Sequence, residues 1–364
     1  MRLSQGLNYP LGLDISDLSL KFVQLDEIKN NISLKNFGRI DLPNSLIEGG
    51  VINDEKAVIS AMTELLKNKN LSGSGKIEVT ACLPETKTFV KLIEVENSLN
   101  DLADMVRAET EKYIPISLKD MYLDWQTIKN LPDKKLILVG AAPRNIVDQY
   151  VRVLKGANFS ISSLEIESTA ICRGLLETES PWYGGAYDSN YCLIDFGAKR
   201  SSLIIYSKNT IALSVSLPIS GEAVTADIAK TLELDKPQAE KAKVVCGLDK
   251  SKAKGIISDI LAKKIDELIL RIKEALSFFN ENYSERGKVD EIILCGGGAN
   301  IKKLDTIISD AVAVKTTIGN AFTNLKIPDE KTGDKSPTIS QNASLTYVTA
   351  IGLALRSIFL EKIN

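Results

Sequence analysis

The chain of 364 residues contains no histidine. This absence excludes catalytic triads built on histidine, histidine general bases and most zinc chemistry. The functional candidates are therefore carboxylates, hydroxyls, lysines and glycine-rich turns.

Paired cysteines and an excess of one charge are also missing. The five cysteines are scattered among apolar neighbours and never form a Cys-x-x-Cys pair, which is typical of reduced, structural thiols in a cytosolic protein. Lys and Arg total 45 against 47 acidic residues, so the sequence offers no basic excess for nucleic acid. We expect no nucleic-acid partner. The cysteines are Cys82, Cys172, Cys192, Cys246 and Cys295.

Long apolar runs are scarce. The first six residues lack the apolar core of a signal peptide. Residues 343–360 approach the length of a membrane span, but they include Tyr347, Arg356 and Ser357. We predict that this segment is a buried helix of a soluble protein, and the length allows two domains with their own cores.

One short pattern occurs twice in the sequence. Residues 11–16 form an apolar run that ends on Asp14, and a hydroxyl residue then opens the apolar run 19–23. Residues 193–198 repeat this around Asp195, followed by 201–205. Aspartate at a strand end can hold Mg²⁺ through water, and turn amides can bind phosphate. Each copy alone is equally an ordinary hairpin with a capping aspartate.

A third element favours the functional interpretation. The apolar strand 291–295 runs directly into Gly296, Gly297 and Gly298. Two phosphate-binding hairpins and a glycine-rich turn indicate a nucleotide held in a cleft between two similar domains.

Periodicity predicts the secondary structure around these motifs. Strands are expected at 11–15, 20–25, 32–38 and 77–83, and helices at 54–68, from Glu165 towards Leu176, and over 256–279. Between 85 and 159 we predict a separate βαββα unit. Its first helix would start at Ser98-x-x-Asp101, present Leu99, Leu102, Val106 and Tyr113 on one face, and stop at Pro115. Residues 180–185 and 328–342 are predicted to be loops, the latter mobile.

In this order the motifs resemble the actin, Hsp70 and sugar-kinase ATPase fold. Within it the chain is similar to the PilM family of type IV pilus assembly proteins, which is related to the division protein FtsA. The resemblance covers nearly the whole chain, and it is most specific at the helix that leads to Tyr113-Ile114-Pro115. The other matching segments are Ile93-Glu94-Val95, Arg107-Ala108-Glu109, residues 139–144, Ala239-Glu240 with Lys243, and residues 350–356.

The resemblance implies an α/β, actin/Hsp70-like (ribonuclease H-like) two-domain ATPase fold with an FtsA/PilM-type inserted βαββα subdomain. The first actin-like domain (1A) would comprise 1-84, 160-188 and 342-364, and the inserted subdomain (1C-like) 85-159. The second domain (2A) would comprise 189-222 and 289-341, and the helical subdomain (2B) 223-288.

The resemblance also implies roles for single residues. Asp14 and Asp195 would hold Mg²⁺ through water, and Asp195 and Glu167 would be the catalytic residues, with Glu167 orienting the attacking water. The remaining residues would bind ATP. They are Ser16, Ser19 and Lys21 on one side of the phosphates; Gly197, Ala198 and Ser201 on the other; Gly296, Gly297, Gly298 and Asn300 along the adenosine; and Glu240 and Lys243 at the base or ribose.

Several assignments have plainer alternatives. Glu240 and Lys243 also fit an exposed helical charge pair, and Glu167 also fits a charge at a helix N-terminus. Lys199 and Arg200 either bind phosphate or, as we favour, point to solvent. The family usually has glycine where this chain has Ser16, so slow hydrolysis, or binding without turnover, is expected.

The function implied is that of an ATP-binding scaffold at the cytoplasmic face of the inner membrane. It would hold the N-terminal cytoplasmic tail of a PilN-like membrane protein between the inserted and first domains, contact other pilus assembly proteins and switch with nucleotide state. The alternatives are an FtsA-like division scaffold, a type II secretion-like component and, least favoured, a small-molecule kinase. An FtsA-like protein usually carries a C-terminal amphipathic anchor, whereas this sequence ends directly after its closing helix. We expect no direct membrane insertion.

Overall fold

The computed structural model of the chain describes residues 9–28, 31–69, 71, 75–97, 101–114, 116–177, 189–327 and 337–361. The predicted loop 180–185 lies outside these residues, as do Ser98, Leu99 and Pro115. In the predicted mobile loop, residues 328–336 are also outside, and a short helix begins at Gln341.

The first sheet begins with the predicted meander. Strands β1 to β3 pair antiparallel, and β6 and β10 extend the sheet in parallel, in the order β10-β6-β1-β2-β3. The strands are β1 (Leu11–Ser16), β2 (Ser19–Ile28), β3 (Asn31–Asp41), β6 (Ile77–Leu83) and β10 (Phe159–Ile166), with a small ribbon of β4 (Ile47–Glu48) and β5 (Val51–Ile52) beside them. The strand predictions at 11–15, 20–25, 32–38 and 77–83 are confirmed.

Four helices accompany this sheet. They are α1 (Glu55–Lys67), α3 (Arg144–Gly156), α4 (Glu167–Leu175) and α10 (Val348–Glu361). The predicted helix 54–68 is confirmed as α1. The prediction that a helix opens at Glu165 is wrong, because Glu165 and Ile166 pair with Cys82 and Leu83 of β6 and so end a strand.

The second sheet repeats the first. Its order is β13-β12-β11-β14-β15, again with an antiparallel meander extended by parallel strands. The strands are β11 (Asn190–Phe196), β12 (Ser201–Ser207), β13 (Thr210–Leu217), β14 (Glu291–Cys295) and β15 (Lys315–Ile318). The duplicated hairpin of the sequence therefore occupies the same place, β1-β2 and β11-β12, in two sheets of one topology.

A helical layer covers the second sheet. Its members are α5 (Gly221–Leu232), α6 (Lys236–Cys246), α7 (Ile256–Asn282) and α8 (Leu304–Val312), and the short α9 (Gln341–Ser344) precedes α10. The predicted helix 256–279 is confirmed as α7, with buried side chains at three- and four-residue spacing.

The inserted unit follows the predicted βαββα order. It consists of β7 (Phe89–Glu96), α2 (Leu102–Glu111), β8 (Met121–Asn130), β9 (Lys134–Pro143) and then α3. Its sheet has the order β7-β9-β8. Asp101 caps α2 by accepting from the Ala103 amide, and Tyr113 lies beyond the helix end, where its ring is exposed rather than packed on the apolar face.

Buried apolar residues join the two halves. One cluster combines side chains of β2, such as Val23, with side chains of β11 and β12, such as Leu193 and Ile204, and with α10 residues such as Ile351. Residues 344–359 of the segment predicted to be a buried helix thus form a buried or half-buried helical region. Among the described residues, no helix combines the length and apolarity needed to cross a membrane. All five cysteines have free thiols.

Candidate functional site

The first hairpin places a buried ion pair beside its turn. Asp14 and Lys21 are directly opposite each other in the β1-β2 register, and Lys21 Nζ donates to Asp14 Oδ2 at 2.6 Å. Burial lowers the pKa of Lys21, but the adjoining Asp14 carboxylate outweighs this, so the pKa is raised. Lys21 therefore stays charged at the strand end.

The turn of this hairpin is closed by its own hydroxyls. Ser16 Oγ donates to the Ser19 carbonyl at 2.9 Å and lies 3.2 Å from Ser19 Oγ. The Asp17 carboxylate accepts from the amides of Gly49 and Gly50 at 2.9 and 3.0 Å. The Ser16 side chain thus folds back onto the hairpin.

The second hairpin turn is attached to the start of α5. The carbonyls of Gly197 and Ala198 accept from the amides of Gly221 and Glu222 at 3.0 and 2.9 Å. Buried Ser201 donates through Oγ to the Ile219 carbonyl at 2.7 Å. The Ser201 hydroxyl, predicted to face phosphate, therefore already holds a backbone contact.

The basic residues of this second turn lie in partly or fully exposed positions. Lys199 pairs with Glu222 at 2.6 Å, and Arg200 Nε donates to Ser216 Oγ at 3.0 Å. Both basic side chains thus bind neighbouring polar side chains at the exposed surface, in line with the solvent-facing alternative.

Two further carboxylates face the Asp14–Lys21 pair. Glu167 is the first residue of α4, and Asp195, the penultimate residue of β11, pairs with Cys295 of β14. Burial raises the pKa of Glu167 well above its usual range, and Asp14 and Asp195 raise it further. Burial, followed by the Asp14 carboxylate, raises the pKa of Asp195 to about 6, while Lys21 opposes the shift.

This charge arrangement fits a bound divalent cation. Three carboxylates repel one another around a single ammonium, and Mg²⁺ prefers carboxylate oxygens and water as ligands. Within the described ranges, no three His, Cys, Asp or Glu side chains converge as a ready ligand set. That Asp14 and Asp195 hold Mg²⁺ through water therefore stays a prediction.

The glycine-rich turn packs tightly against β11. A Cβ on Gly296, whose φ is +76°, would lie 2.0 Å from Asp195 Oδ1, and a Cβ on Gly298 would lie 2.4 Å from the Phe196 ring. Gly297 is exposed, and Asn300 ties the turn to the Asn342 carbonyl at 3.0 Å. Glycine at 296 and 298 is thus required by packing, and it brings the turn against Asp195.

The predicted nucleoside pair is part of a small polar cluster. The Lys243 ammonium is buried and donates to Glu240 Oε2 at 2.7 Å, Thr225 Oγ1 at 2.9 Å and the Gly221 carbonyl at 3.1 Å. The Glu240 side chain remains about half exposed. Lys243 therefore joins α6 to the N-terminus of α5, and Glu240 is the member that solvent or a ligand reaches.

Sequence reasoning missed two residues next to this site. Cys82 Sγ lies 3.7 Å from Asp14 Oδ1, and burial raises its pKa well above the usual range. Glu85 accepts from the Ser168 amide, directly after Glu167, and from the Ser214 hydroxyl. No local pattern marks either residue, because both reach the site through pairing between distant segments.

A large cavity lies where the inserted unit meets both domains. Its volume is about 1120 Å³. We call it the inter-domain cavity; its walls come from β8 and β9, from β10, α4 and α10, and from the second sheet. Apolar side chains of the three walls include Trp125, Leu138, Ile166, Leu176, Tyr206 and Ile293.

Comparisons with known proteins agree with this architecture. The cell division protein FtsA of Buchnera aphidicola subsp. Baizongia pistaciae is 22% identical over 356 residues, covering 85% of this chain and 83% of FtsA. A solved PilM-PilN type IV pilus biogenesis complex matches with a TM-score of 0.79 and 23% identity, over 96% of this chain and 98% of that one. MreB5 of Spiroplasma citri bound to AMPPNP matches with a TM-score of 0.56 and 13% identity over 98% of both chains.

These structural matches confirm the predicted actin-like ATPase fold. The family model described as type IV pilus assembly protein PilM matches residues 12–358, which is nearly the whole chain. The chain belongs to the type IV pilus assembly protein PilM family.

Proposed function

We propose that this protein is a nucleotide-dependent scaffold of type IV pilus assembly that binds the N-terminal cytoplasmic tail of a PilN-like protein. The observation that carries the proposal is the inter-domain cavity of about 1120 Å³, which has more apolar than polar lining and is bounded by the inserted sheet and both domains. The similarity to a PilM-PilN complex supports a PilN-like protein as the partner. Binding that tail would recruit the protein to the cytoplasmic face of the inner membrane, where it would meet other pilus assembly proteins.

ATP and Mg²⁺ are the cofactors we propose for the cleft. Support comes from the two facing hairpins, the acidic cluster with Lys21, and the AMPPNP bound by the similarly folded MreB5. Asp14 and Asp195 would orient water on the metal, which would neutralise phosphate charge. Glu167 would orient a water molecule for hydrolysis that is slow at most, so nucleotide would act as a switch.

Calorimetric titration tests both parts. We expect the purified protein to bind Mg-ATP with micromolar affinity and then to bind a synthetic peptide that copies the tail of the PilN-like protein from the same organism. Nucleotide binding without peptide binding would leave the cleft standing and refute the scaffold proposal. Failure to bind nucleotide would refute the switch.

The cavity wall offers a specific test of peptide binding. Leu138 is partly buried on β9 and lines the inter-domain cavity. In Leu138→Arg a charge replaces an apolar contact worth about 2 kcal/mol, so peptide affinity should fall at least about tenfold while Mg-ATP affinity stays unchanged. Leu136→Arg, on the same face of β9 but outside this cavity, is the matched control. Equal peptide binding by both variants would place the tail elsewhere.

The first hairpin turn gives a separate prediction about nucleotide. Ser16→Gly removes a Cβ and the hydroxyl that now bonds Ser19, so turn amides become more accessible to phosphate. We expect Mg-ATP to bind about three- to fivefold more tightly, or hydrolysis to accelerate to a similar degree. Ser16→Ala isolates the contribution of the hydroxyl. Weaker Mg-ATP binding by the glycine variant would contradict this assignment of the turn.

A further inference from the structure

Glu85 makes one carboxylate contact with each of the two domains. It lies in the connecting loop, residues 84–88, through which the chain leaves β6 and enters β7 of the inserted unit. Its Oε2 accepts from the Ser168 amide of α4 at 3.2 Å, and its Oε1 accepts from the hydroxyl of Ser214 on β13 in the second sheet. Movement of the second domain away from the first must break the contact with Ser214.

Hydrogen bonds through Gly49 connect the connecting loop to the turn of the first hairpin. Thr86 Oγ1 donates to the Gly49 carbonyl at 2.7 Å, and the amides of Gly49 and Gly50 donate to Asp17 in the hairpin turn. Thr88 Oγ1 donates back to the Pro84 carbonyl at 3.1 Å. Hydrogen bonds therefore link the candidate phosphate turn through Gly49 to Thr86, the chain neighbour of Glu85.

The three segments that meet at Glu85 also line the inter-domain cavity. Leu83 precedes Glu85, Ile166 precedes Ser168, and Ile211 lies on β13 with Ser214; all three side chains form part of the cavity wall. Strand β13 also runs beside β7. A shift of β13 relative to α4 would consequently change the width of the cavity.

The hydrogen bonds from Ser214 and Ser168 to the Glu85 carboxylate are expected to be stronger than ordinary neutral ones. Burial raises the pKa of Glu85, and the hydrogen bonds from Ser214 and Ser168 oppose that shift by favouring the charged form. Hydrogen bonds to a charged acceptor in a shielded position are about twice as strong as neutral ones. Losing one donor leaves a partly buried carboxylate with an unmet contact.

We propose that Glu85 couples closure of the nucleotide cleft to the shape of the inter-domain cavity. Glu85 acts as a positioning residue: closure on nucleotide holds Ser214 and Ser168 against the same carboxylate, and this fixes the three cavity walls relative to one another. The inference rests on the proposed nucleotide switch and names the contact that transmits it.

Hydrogen exchange with and without Mg-ATP tests this coupling in the full chain. In the wild type, Mg-ATP should slow amide exchange in β7, β10 and β13 by about tenfold. Glu85→Gln and Ser214→Ala should each reduce this response to less than about twofold, and the double variant should do no more than either one. Ser277→Ala is the matched control, because Ser277 Oγ donates to Glu281 at 2.8 Å on the exposed face of α7.

The outcomes separate coupling from peptide binding. A wild-type exchange response in Glu85→Gln and Ser214→Ala, or no response in the wild type, would overturn the role of Glu85. A Glu85-dependent response together with failure of the tail peptide to bind would support the coupling and refute the scaffold proposal. A merely structural role is also distinguishable, since it would change unfolding of the free protein and leave the response to Mg-ATP intact.

Discussion

Replacing Asp195 with asparagine is expected to abolish the Mg²⁺ dependence of ATP binding. In the wild type, Mg²⁺ should tighten ATP binding at least about tenfold, because the cation relieves the repulsion among Asp14, Glu167 and Asp195. Asparagine keeps the shape of the side chain and removes one charge. Calorimetric titration of ATP in Mg²⁺ and in EDTA should then give the same affinity for the variant.

The pKa of Asp195 gives this prediction a pH signature. Its folded-state value of about 6 is raised, so a proton competes with Mg²⁺ below that pH. The Mg²⁺ dependence of the wild type should therefore grow from pH 5 to pH 7, and that of Asp195→Asn should stay flat. An unchanged Mg²⁺ dependence in the variant would remove Asp195 from the metal site.

The same shift predicts a gain in stability. A carboxylate with a raised folded pKa favours the protonated folded state, so its contribution to stability is present below the unfolded pKa near 4 and is lost as pH rises through about 6. Without Mg²⁺ at pH 7, the free energy of unfolding of Asp195→Asn should exceed that of the wild type by about 2 kcal/mol, so the variant should unfold at a higher urea concentration. Asp310→Asn, an equal charge change on the exposed face of α8, is the control. It should change neither the Mg²⁺ dependence of ATP binding nor the free energy of unfolding.

Much of the fold was predictable because its signals are local. An apolar run that ends on Asp14 or Asp195 indicates each hairpin, and the glycine triplet directly follows a predicted strand. The two sheets then repeat one topology around these hairpins. The start of α4 was predicted too early, because pairing of Ile166 with Leu83 keeps the chain extended against its helical preference.

The environment of single side chains was less predictable, because it depends on distant segments. Ser201 bonds the Ile219 carbonyl, and Lys243 bonds the start of α5. Glu85 reaches Ser214 across the domain boundary. The sequence indicates which residue types lie at a strand end. Which hydrogen-bond partners each hydroxyl and ammonium has depends on tertiary contacts. The roles of the predicted nucleotide-binding residues remain predictions.

Gly352→Ala is expected to lower the free energy of unfolding, although alanine normally favours a helix. Gly352 lies inside α10, where a Cβ would stand 1.8 Å from the Ala170 carbonyl oxygen of α4. The crossing is tight on both sides, since a Cβ on Gly174 of α4 would stand 2.7 Å from the Val348 carbonyl oxygen. A backbone atom cannot move aside as a flexible side chain does, so the two helices must separate.

The clash should outweigh the propensity gain of about 1 kcal/mol, giving a net loss of about 3 kcal/mol in the free energy of unfolding. Urea denaturation followed by circular dichroism measures this loss. Gly75→Ala is the control, because a Cβ there meets no atom within 4 Å. Since α4 begins with Glu167, separation of the helices should also displace that carboxylate and weaken Mg-ATP binding under native conditions. Wild-type stability of Gly352→Ala would show that α10 and α4 do not pack at this distance in solution.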